Sequence, residues 1–270
     1  MPPSLRRKGR PKNFDTDTTT SRIQALDRAL DVMDALAEAQ GLTLTELAGA
    51  LNQSPATIYR VLSTLEARQI VEMDPVDQAW HMGSAAFRLG SSFLARNNVA
   101  ERSRPEMHEL MRLTGETSNL GIERNDEVMF VGQVETPQSI RAFFPLGTIS
   151  PMHASGIGKA LLSCYQPERL DRYLRDAALE RFTTHSITEP EVLRADLEKV
   201  RERGWALDDE EKADGMRCVA APITNIYGEA IAGISVSGPA MRMTNDRLAE
   251  IGQWVSDAAK RVSLSMGMAG

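Results

Sequence analysis

The sequence predicts an α+β chain in two parts, a winged helix-turn-helix followed by a larger antiparallel-sheet domain, and three observations carry that expectation. Thr43 to Arg68, TLTELAGALNQSPATIYRVLSTLEAR, reads as two short helices about a tight connection. Ile70 to Met73 and Ala79 to Met82, on either side of Asp74-Pro75-Val76-Asp77, read as a two-stranded wing. Beyond Gly115 the apolar period shortens from that of a helix to that of a strand, while helices keep recurring between the strands. At 270 residues the chain exceeds one typical domain, and 42% hydrophobic residues give it material for two cores.

Residues 1–20 predict a basic flexible arm and linker. Five cations and no acid fall between Arg6 and Lys12, followed by a threonine-rich run from Thr16 to Thr20. Arg7 and Arg10 are candidates to lie along phosphates or reach into a minor groove; the alternative is a solubilising tail. The net charge of −6 argues against a strongly basic footprint, and residues 1–82 hold nine Lys/Arg against eleven Asp/Glu. The start MPPSLRRKGRPK lacks the apolar stretch of a secretion signal, and no run approaches the roughly 20 apolar residues of a membrane helix, so a cytoplasmic location is expected. Cys164 and Cys218 are far apart with no CxxC, and His81, His108, His153 and His185 share no metal-ligand spacing. Neither a disulfide framework, a metal nor another cofactor is indicated.

Residues 21–82 form the first domain. Ser21 is placed to cap a helix whose stripe is Ile23, Leu26, Leu30, Val32, Met33 and Leu36. Thr43 and Glu46 make a capping box for the next helix, and Asn52-Gln53 break its pattern. Ser54-Pro55 opens a third, with a side-chain oxygen at the N-cap and a proline whose missing N–H costs nothing there. Ile58, Val61, Leu62 and Leu65 face a core, which leaves Ala56, Thr57, Tyr59, Arg60, Ser63 and Thr64 outward. Ser54, Thr57, Tyr59 and Arg60 are therefore the candidate contacts of a recognition helix in a DNA major groove. A plain helical hairpin is the competing reading.

Residues 83–98, with Ala86, Phe87, Leu89, Gly90, Phe93 and Leu94 on an apolar face, predict a linker helix and a dimer contact; packing on its own neighbouring domain is the alternative. Residues 99–270 form the second domain. Its expected elements are a helix from Val99 to Leu113, strands at Ser118–Glu123, Glu127–Glu135 and Ser139–Phe144, and helices at Ser155–Tyr165, Glu168–Leu174 and Thr188–Arg203. Strands at Trp205–Leu207, Cys218–Ile223 and Ala230–Val236 follow, then a closing helix capped by Thr244. Thr188 with Glu191 reads as a second capping box.

The most charged stretch here is Asp208-Asp209-Glu210-Glu211, which alone reads as a solvated face. Other features converge on it. Ser235 and Ser237 alternate with Ile234 and Val236, so both hydroxyls share one face of a strand and need partners. A carboxylate ligand would supply them, and Gly156 and Ile157 at a helix N-terminus would offer backbone N–H groups to the same anion.

Six segments, ALDRALDVMDAL, TLTELAGALNQSPATIYRVLSTL, TGETSNL, HASGIGKALLS, RGWALDDEEKADGMRCVAAPI and ISVSGPAMRMT, stand in the order and spacing of the IclR family of bacterial transcriptional regulators, which the chain resembles over essentially its whole length after Ser21. The resemblance implies a winged helix-turn-helix, a linker helix and a GAF-like effector domain. It also implies homodimers or dimers of dimers on palindromic double-stranded DNA operators, and no enzymatic activity. In glyoxylate- or pyruvate-responsive members the effector touches positions that here are Gly156, Ile157, Asp208, Cys218, Ser235 and Ser237. A small carboxylate such as glyoxylate is the effector this implies, with pyruvate as the alternative. Ile157 departs from the smaller residue familiar there and is expected to trim the pocket, while Phe143, Leu146 and Met216 are expected as apolar walls. A rival from another class is an enzyme with Cys218 as nucleophile, which lacks a histidine nearby in sequence and has carboxylates around it that oppose a thiolate. An architectural DNA binder using the arm would leave the larger domain without a role.

Overall fold

The computed structural model describes residues 23–39, 41–96 and 99–266; the basic arm with Arg7 and Arg10, and the Ser21 cap, lie outside the described residues. The chain divides into two compact units, residues 1–93 and 94–270. In the first, α1 (Gln24–Ala39), α2 (Leu44–Ala50) and α3 (Pro55–Glu66) precede β1 (Val71–Met73) and β2 (Trp80–Met82). The last two pair antiparallel, Val71 opposite Met82. The Thr43 box closes both ways: Thr43 N–H donates to Glu46 Oε2 at 2.8 Å, and Glu46 N–H donates to Thr43 Oγ1 at 3.4 Å. Asn52, at φ 48°, adopts the left-handed turn that asparagine tolerates, and α3 then starts under Ser54, whose Oγ accepts the Thr57 N–H at 3.2 Å.

Val32, Leu36, Leu47, Ile58, Leu62, Leu65, Val71 and Trp80 make the core of this unit, and Leu42 joins the wing through a bridge to Trp80. The α1 stripe is only partly buried. Val32 and Leu36 are inside, whereas Ile23, Leu26 and Leu30 are exposed. At 100° per residue these three lie roughly 120–180° round the helix from Val32, so one core cannot cover all of them. The next helix, α4 (Ser84–Arg96), also shows Phe87 to solvent; Phe93 and Leu94 lie outside the described side chains.

The second unit runs α5 (Val99–Thr114), β3 (Thr117–Arg124), β4 (Glu127–Val134), β5 (Ile149–Pro151), α6 (Gly156–Ser163), α7 (Pro167–Asp176), α8 (Pro190–Arg203), β6 (Ala206–Asp209), β7 (Met216–Thr224), β8 (Ala230–Pro239) and α9 (Asn245–Ser265). Its strands form one antiparallel sheet, β5-β4-β3-β8-β7-β6, with α6 packed on one face and α5 and α9 on the other. Alternation explains the layering. Val219, Ile234 and Val236 are buried toward one face, while Cys218, Ala220, Ser235 and Ser237 point to the α6 face.

Three expectations fail here. Ser139–Phe144 is not a strand, because the edge groups of β4 are taken further on: Phe130 N–H donates to the Thr148 carbonyl at 3.0 Å and its carbonyl accepts the Gly147 N–H at 2.8 Å. That leaves residues 139–144 off the ladder as an irregular loop. The Thr188–Glu191 box does not form, since α8 starts at Pro190 with Glu189 as N-cap and the Thr188 hydroxyl instead accepts from Arg181 at 3.0 Å. Thr244 holds the N-cap position of α9 without a side-chain capping bond.

Candidate functional site

The antiparallel registers set Asp208 beside Cys218, Cys218 beside Ser237, and Ser237 beside Thr117, so one row of side chains crosses four strands on the face under α6. One step along the strands, Ala220, Ser235 and Asn119 form the next row. Asn119 donates to Ser237 Oγ at 3.2 Å, and Gln133 to Asn119 Oδ1 at 2.9 Å, which orients the polar floor. Above the first row lies a cavity of about 250 Å³. Phe130, Ala142, Phe143, Phe144 and Met216 line its apolar part, and Arg141, Ser150, Ser155, Gly156, Asp208, Lys212, Arg217, Cys218 and Ser237 its polar part.

The start of α6 can come this close only because Gly156 is glycine: a Cβ there would sit 2.8 Å from Cys218 Sγ and 3.0 Å from its carbonyl oxygen. Ser155 caps the helix by accepting the Gly158 N–H at 3.3 Å. Gly156 and Ile157 occupy the first positions of the helix, where N–H groups have no intrahelical acceptor and the helix dipole favours an anion.

Charge is concentrated below this helix end. Burial pushes Asp208 up to about 6, opposed by the charge of Lys159 and by the N–H groups of Glu211 and Lys212; the Glu211 bond to Asp208 Oδ1 is 2.8 Å. Burial likewise lifts Glu211 to about 7, against the pull of Lys159. Lys159, on α6, is itself fully buried, with Nζ 2.5 Å from Glu211 Oε1 and 2.9 Å from Asp196 Oδ2. Burial disfavours its charge, but the two carboxylates more than compensate and hold the ammonium above its ordinary value. Burial, then Asp208, pushes the Cys218 thiol up to about 11, opposite to what a nucleophile requires.

The six residues expected at this site therefore divide. Gly156, Asp208, Cys218 and Ser237 line the cavity; Ile157 and Ser235 do not. Ile157 does not trim the pocket, because its side chain points into the sheet, where a Cβ on Gly233 would come 2.7 Å from its Cγ2 and one on Gly121 3.3 Å from its Cδ1. Two glycines on neighbouring strands make the room that the larger residue fills. Ser235 is buried with its Oγ unpartnered, one row below Ser237. Among the expected walls Phe143 and Met216 line the cavity, while Leu146 is carried outward by the turn at Gly147 and is exposed. Sequence reasoning missed Lys159, Phe130 and Phe144. The last two stack with ring centroids 4.6 Å apart, and a buried lysine on an apolar helix facing an acidic run was the available signal for the first.

On α3, Tyr59 and Arg60 are exposed and Thr57 half-buried. The Thr57 hydroxyl lies 2.9 Å from Ser54 Oγ, so both belong to the cap as well as to the outer face. Arg28 of α1 lines a shallow groove with Thr57, Arg60 and Thr64, adding a second cation to this surface.

With this geometry the comparisons agree. Residues 25–75 match the model of the IclR helix-turn-helix domain, and residues 91–264 that of the bacterial transcriptional regulator IclR C-terminal domain. The chain is 51% identical over 269 residues to the HTH-type transcriptional regulator BhcR of Paracoccus denitrificans (strain Pd 1222), covering 98% of this chain and 96% of that protein. It is 36% identical to the transcriptional repressor IclR of Escherichia coli (strain K12), over 97% and 96% of the two chains. The crystal structure of the Thermotoga maritima IclR superposes with a TM-score of 0.81 at 30% identity, covering 91% of this chain and all of that one. No helix among the described residues is long and apolar enough to cross a membrane. A capped helix-turn-helix, a wing and a second unit with a cavity lined by both apolar and polar groups thus converge with these matches: the chain is a transcriptional regulator rather than an enzyme, and it belongs to the IclR family.

Proposed function

We propose that this regulator binds a palindromic DNA operator as a homo-oligomer, through Ser54, Thr57, Tyr59 and Arg60 of the first unit, and that a small carboxylate effector, glyoxylate, binds the cavity under α6 and changes operator affinity. In this reading residues 1–20, with Arg7 and Arg10, are an arm on the phosphates, residues 21–82 read DNA, residues 83–98 link, and residues 99–270 hold the effector. The observation that carries the effector assignment is the convergence on one cavity of a helix N-terminus, Asp208, Cys218 and Ser237. The helix end and the Ser237 hydroxyl suit a carboxylate. Asp208 would repel that carboxylate unless it accepts a hydrogen bond from a ligand hydroxyl, which hydrated glyoxylate supplies. Ile157 contributes through its backbone, and Ser235 from behind Ser237.

A second reading is favoured by the apolar half of the cavity. A volume of about 250 Å³ exceeds what a two-carbon acid fills, and the Phe130–Phe144 pair would accept the methyl group of pyruvate. Calorimetry with glyoxylate, pyruvate, glycolate and oxalate on parent, Asp208→Ala and Ser235→Ala proteins separates these. The glyoxylate reading expects Asp208→Ala to weaken glyoxylate by about ten- to a hundredfold, the worth of one hydrogen bond to a charged group, and to weaken oxalate less. A parent protein that binds none of the four acids sinks the small-acid assignment.

A further inference from the structure

Beneath the cavity one ammonium bonds two carboxylates, with a third close by. Lys159 Nζ bonds Glu211 Oε1 at 2.5 Å and Asp196 Oδ2 at 2.9 Å, and Glu211 in turn donates its N–H to Asp208 Oδ1 at 2.8 Å. Asp208 and Glu211 are both buried, and the second carboxylate oxygen of Glu211 is buried with no hydrogen-bond partner. The loop that carries Glu211 is stapled to the chain before α8, because the Glu211 backbone carbonyl accepts from Ser186 Oγ at 2.7 Å and Thr183 Oγ1 at 3.3 Å. Buried Asp208 and Glu211 with Asp196 beside them set three carboxylates against the single buried ammonium of Lys159, and one Glu211 oxygen has no hydrogen-bond partner, so the cluster is a place where a proton is easily held.

We infer that the Glu211–Asp208 pair takes up a proton when an anionic effector enters the cavity, so that effector affinity is linked to pH. The inference rests on the small-acid reading of the same cavity. The remaining charged and titratable groups around the pair do not remove the linkage. From α8, Asp196 adds negative charge and is partly solvated. On β6, Asp209 is engaged by Arg217 at 2.7 Å. On β7 the Cys218 thiol stays protonated, since burial pushes it to about 11. In the β6–β7 loop Lys212 lies over the Phe182 ring at 3.3 Å, and its burial lowers it. Arg141 and Arg217 also line the cavity with Asp208, and each is already paired, with Glu135 at 2.9 Å and with Asp209 at 2.7 Å.

The direction follows from the carboxylates. Burial holds Glu211 at about 7 and Asp208 at about 6 without ligand. An added anion raises both further, so between the free and the liganded values the protonated pair binds better. Affinity therefore falls as pH rises above about 7, by up to about tenfold per pH unit, and levels off in acid. The proton comes from solvent, and no bond other than O–H is made or broken.

The test is calorimetry of glyoxylate binding to the full-length protein near pH 6, 7 and 8, each in two buffers of different ionisation heat. The inference expects uptake of roughly 0.3–1 proton per ligand near pH 7.5. It also expects Glu211→Gln, which keeps an acceptor for Lys159, to reduce the uptake to what Asp208 alone takes and to bind glyoxylate more tightly than the parent near pH 8. Binding with the same enthalpy in both buffers overturns it, as does weaker binding by a folded Glu211→Gln protein near pH 8. Infrared titration of the ligand-free protein is the second arm. A protonated carboxylic acid band present near pH 6, lost by pH 8 and reduced in Glu211→Gln supports the pair; its absence near pH 6 overturns the inference whatever glyoxylate does. A pair that titrates in this way while glyoxylate gives no heat at any pH condemns the small-acid reading alone.

Discussion

Gly156 shows how one residue sets the site. Its missing side chain lets the first turn of α6 lie against Cys218, and so brings the helix N-terminus to the cavity that Asp208 and Ser237 also line. Gly156→Ala would force a Cβ to within 2.8 Å of a sulfur and 3.0 Å of a carbonyl oxygen, so the helix end must withdraw from the sheet. The expected outcome is a loss of about 1–3 kcal/mol of stability in the second unit and at least about tenfold weaker effector binding, the larger loss being in binding because both ends of the ligand site move apart. Thermal melting and calorimetry on the same preparation check it. A variant that melts lower but binds glyoxylate as the parent does would detach the α6 N-terminus from the ligand. Ile157 makes the complementary point: read as a larger residue it belongs at the pocket, yet its side chain takes the space left by Gly121 and Gly233 on strands far away in sequence.

At the scale of elements, α3 is the clearest case of local signals sufficing. Ser54 followed by Pro55 fixes its start, Ile58, Leu62 and Leu65 fix its buried side, and Tyr59 and Arg60 are left facing out. Arg60→Ala is expected to cost roughly 1–3 kcal/mol of specific operator binding if the guanidinium reads a base, or to lower the salt slope by about one if it holds a phosphate. Ser54→Ala should cost about 1 kcal/mol of folding stability through the lost cap, read by thermal melting, on top of any loss of its operator contact. Mobility-shift titrations at several salt concentrations distinguish them, and an Arg60→Ala protein unchanged in both affinity and salt slope removes α3 from the interface. The hairpin of β7 and β8 was equally legible, since Ser235, Ser237 and their aliphatic neighbours alternate cleanly about the Asn225–Gly228 turn. Residues 139–144 were not. Ile140, Phe143 and Phe144 carry strand composition, but whether a segment pairs depends on which edge groups are free, and Gly147 and Thr148 had already taken those of Phe130. The same limit hid Lys159, whose partners come from α8 and from the loop after β6. Spacing along a chain does not report such partners.

For the whole molecule the consequence is thermodynamic. A regulator with a DNA-reading unit and an effector-binding unit can couple them only through states that both ligands distinguish, and the coupling free energy is the same read from either side. If glyoxylate alters operator affinity by some factor, saturating operator must alter glyoxylate affinity by the same factor, typically about 5- to 150-fold for coupled sites. Fluorescence anisotropy of labelled operator with and without saturating glyoxylate gives one factor. Calorimetry of glyoxylate with and without saturating operator gives the other. The two are expected to agree within error at one pH and one salt concentration, both of which must be fixed because phosphate contacts make DNA binding salt-dependent and the Glu211–Asp208 pair makes effector binding pH-dependent. Removing residues 1–12, which carry five of the 31 cations, should lower operator affinity and flatten its salt slope while leaving the coupling factor unchanged, because the arm would contribute equally to both states. A coupling factor of one, with both ligands binding tightly, would mean that this cavity does not control the operator.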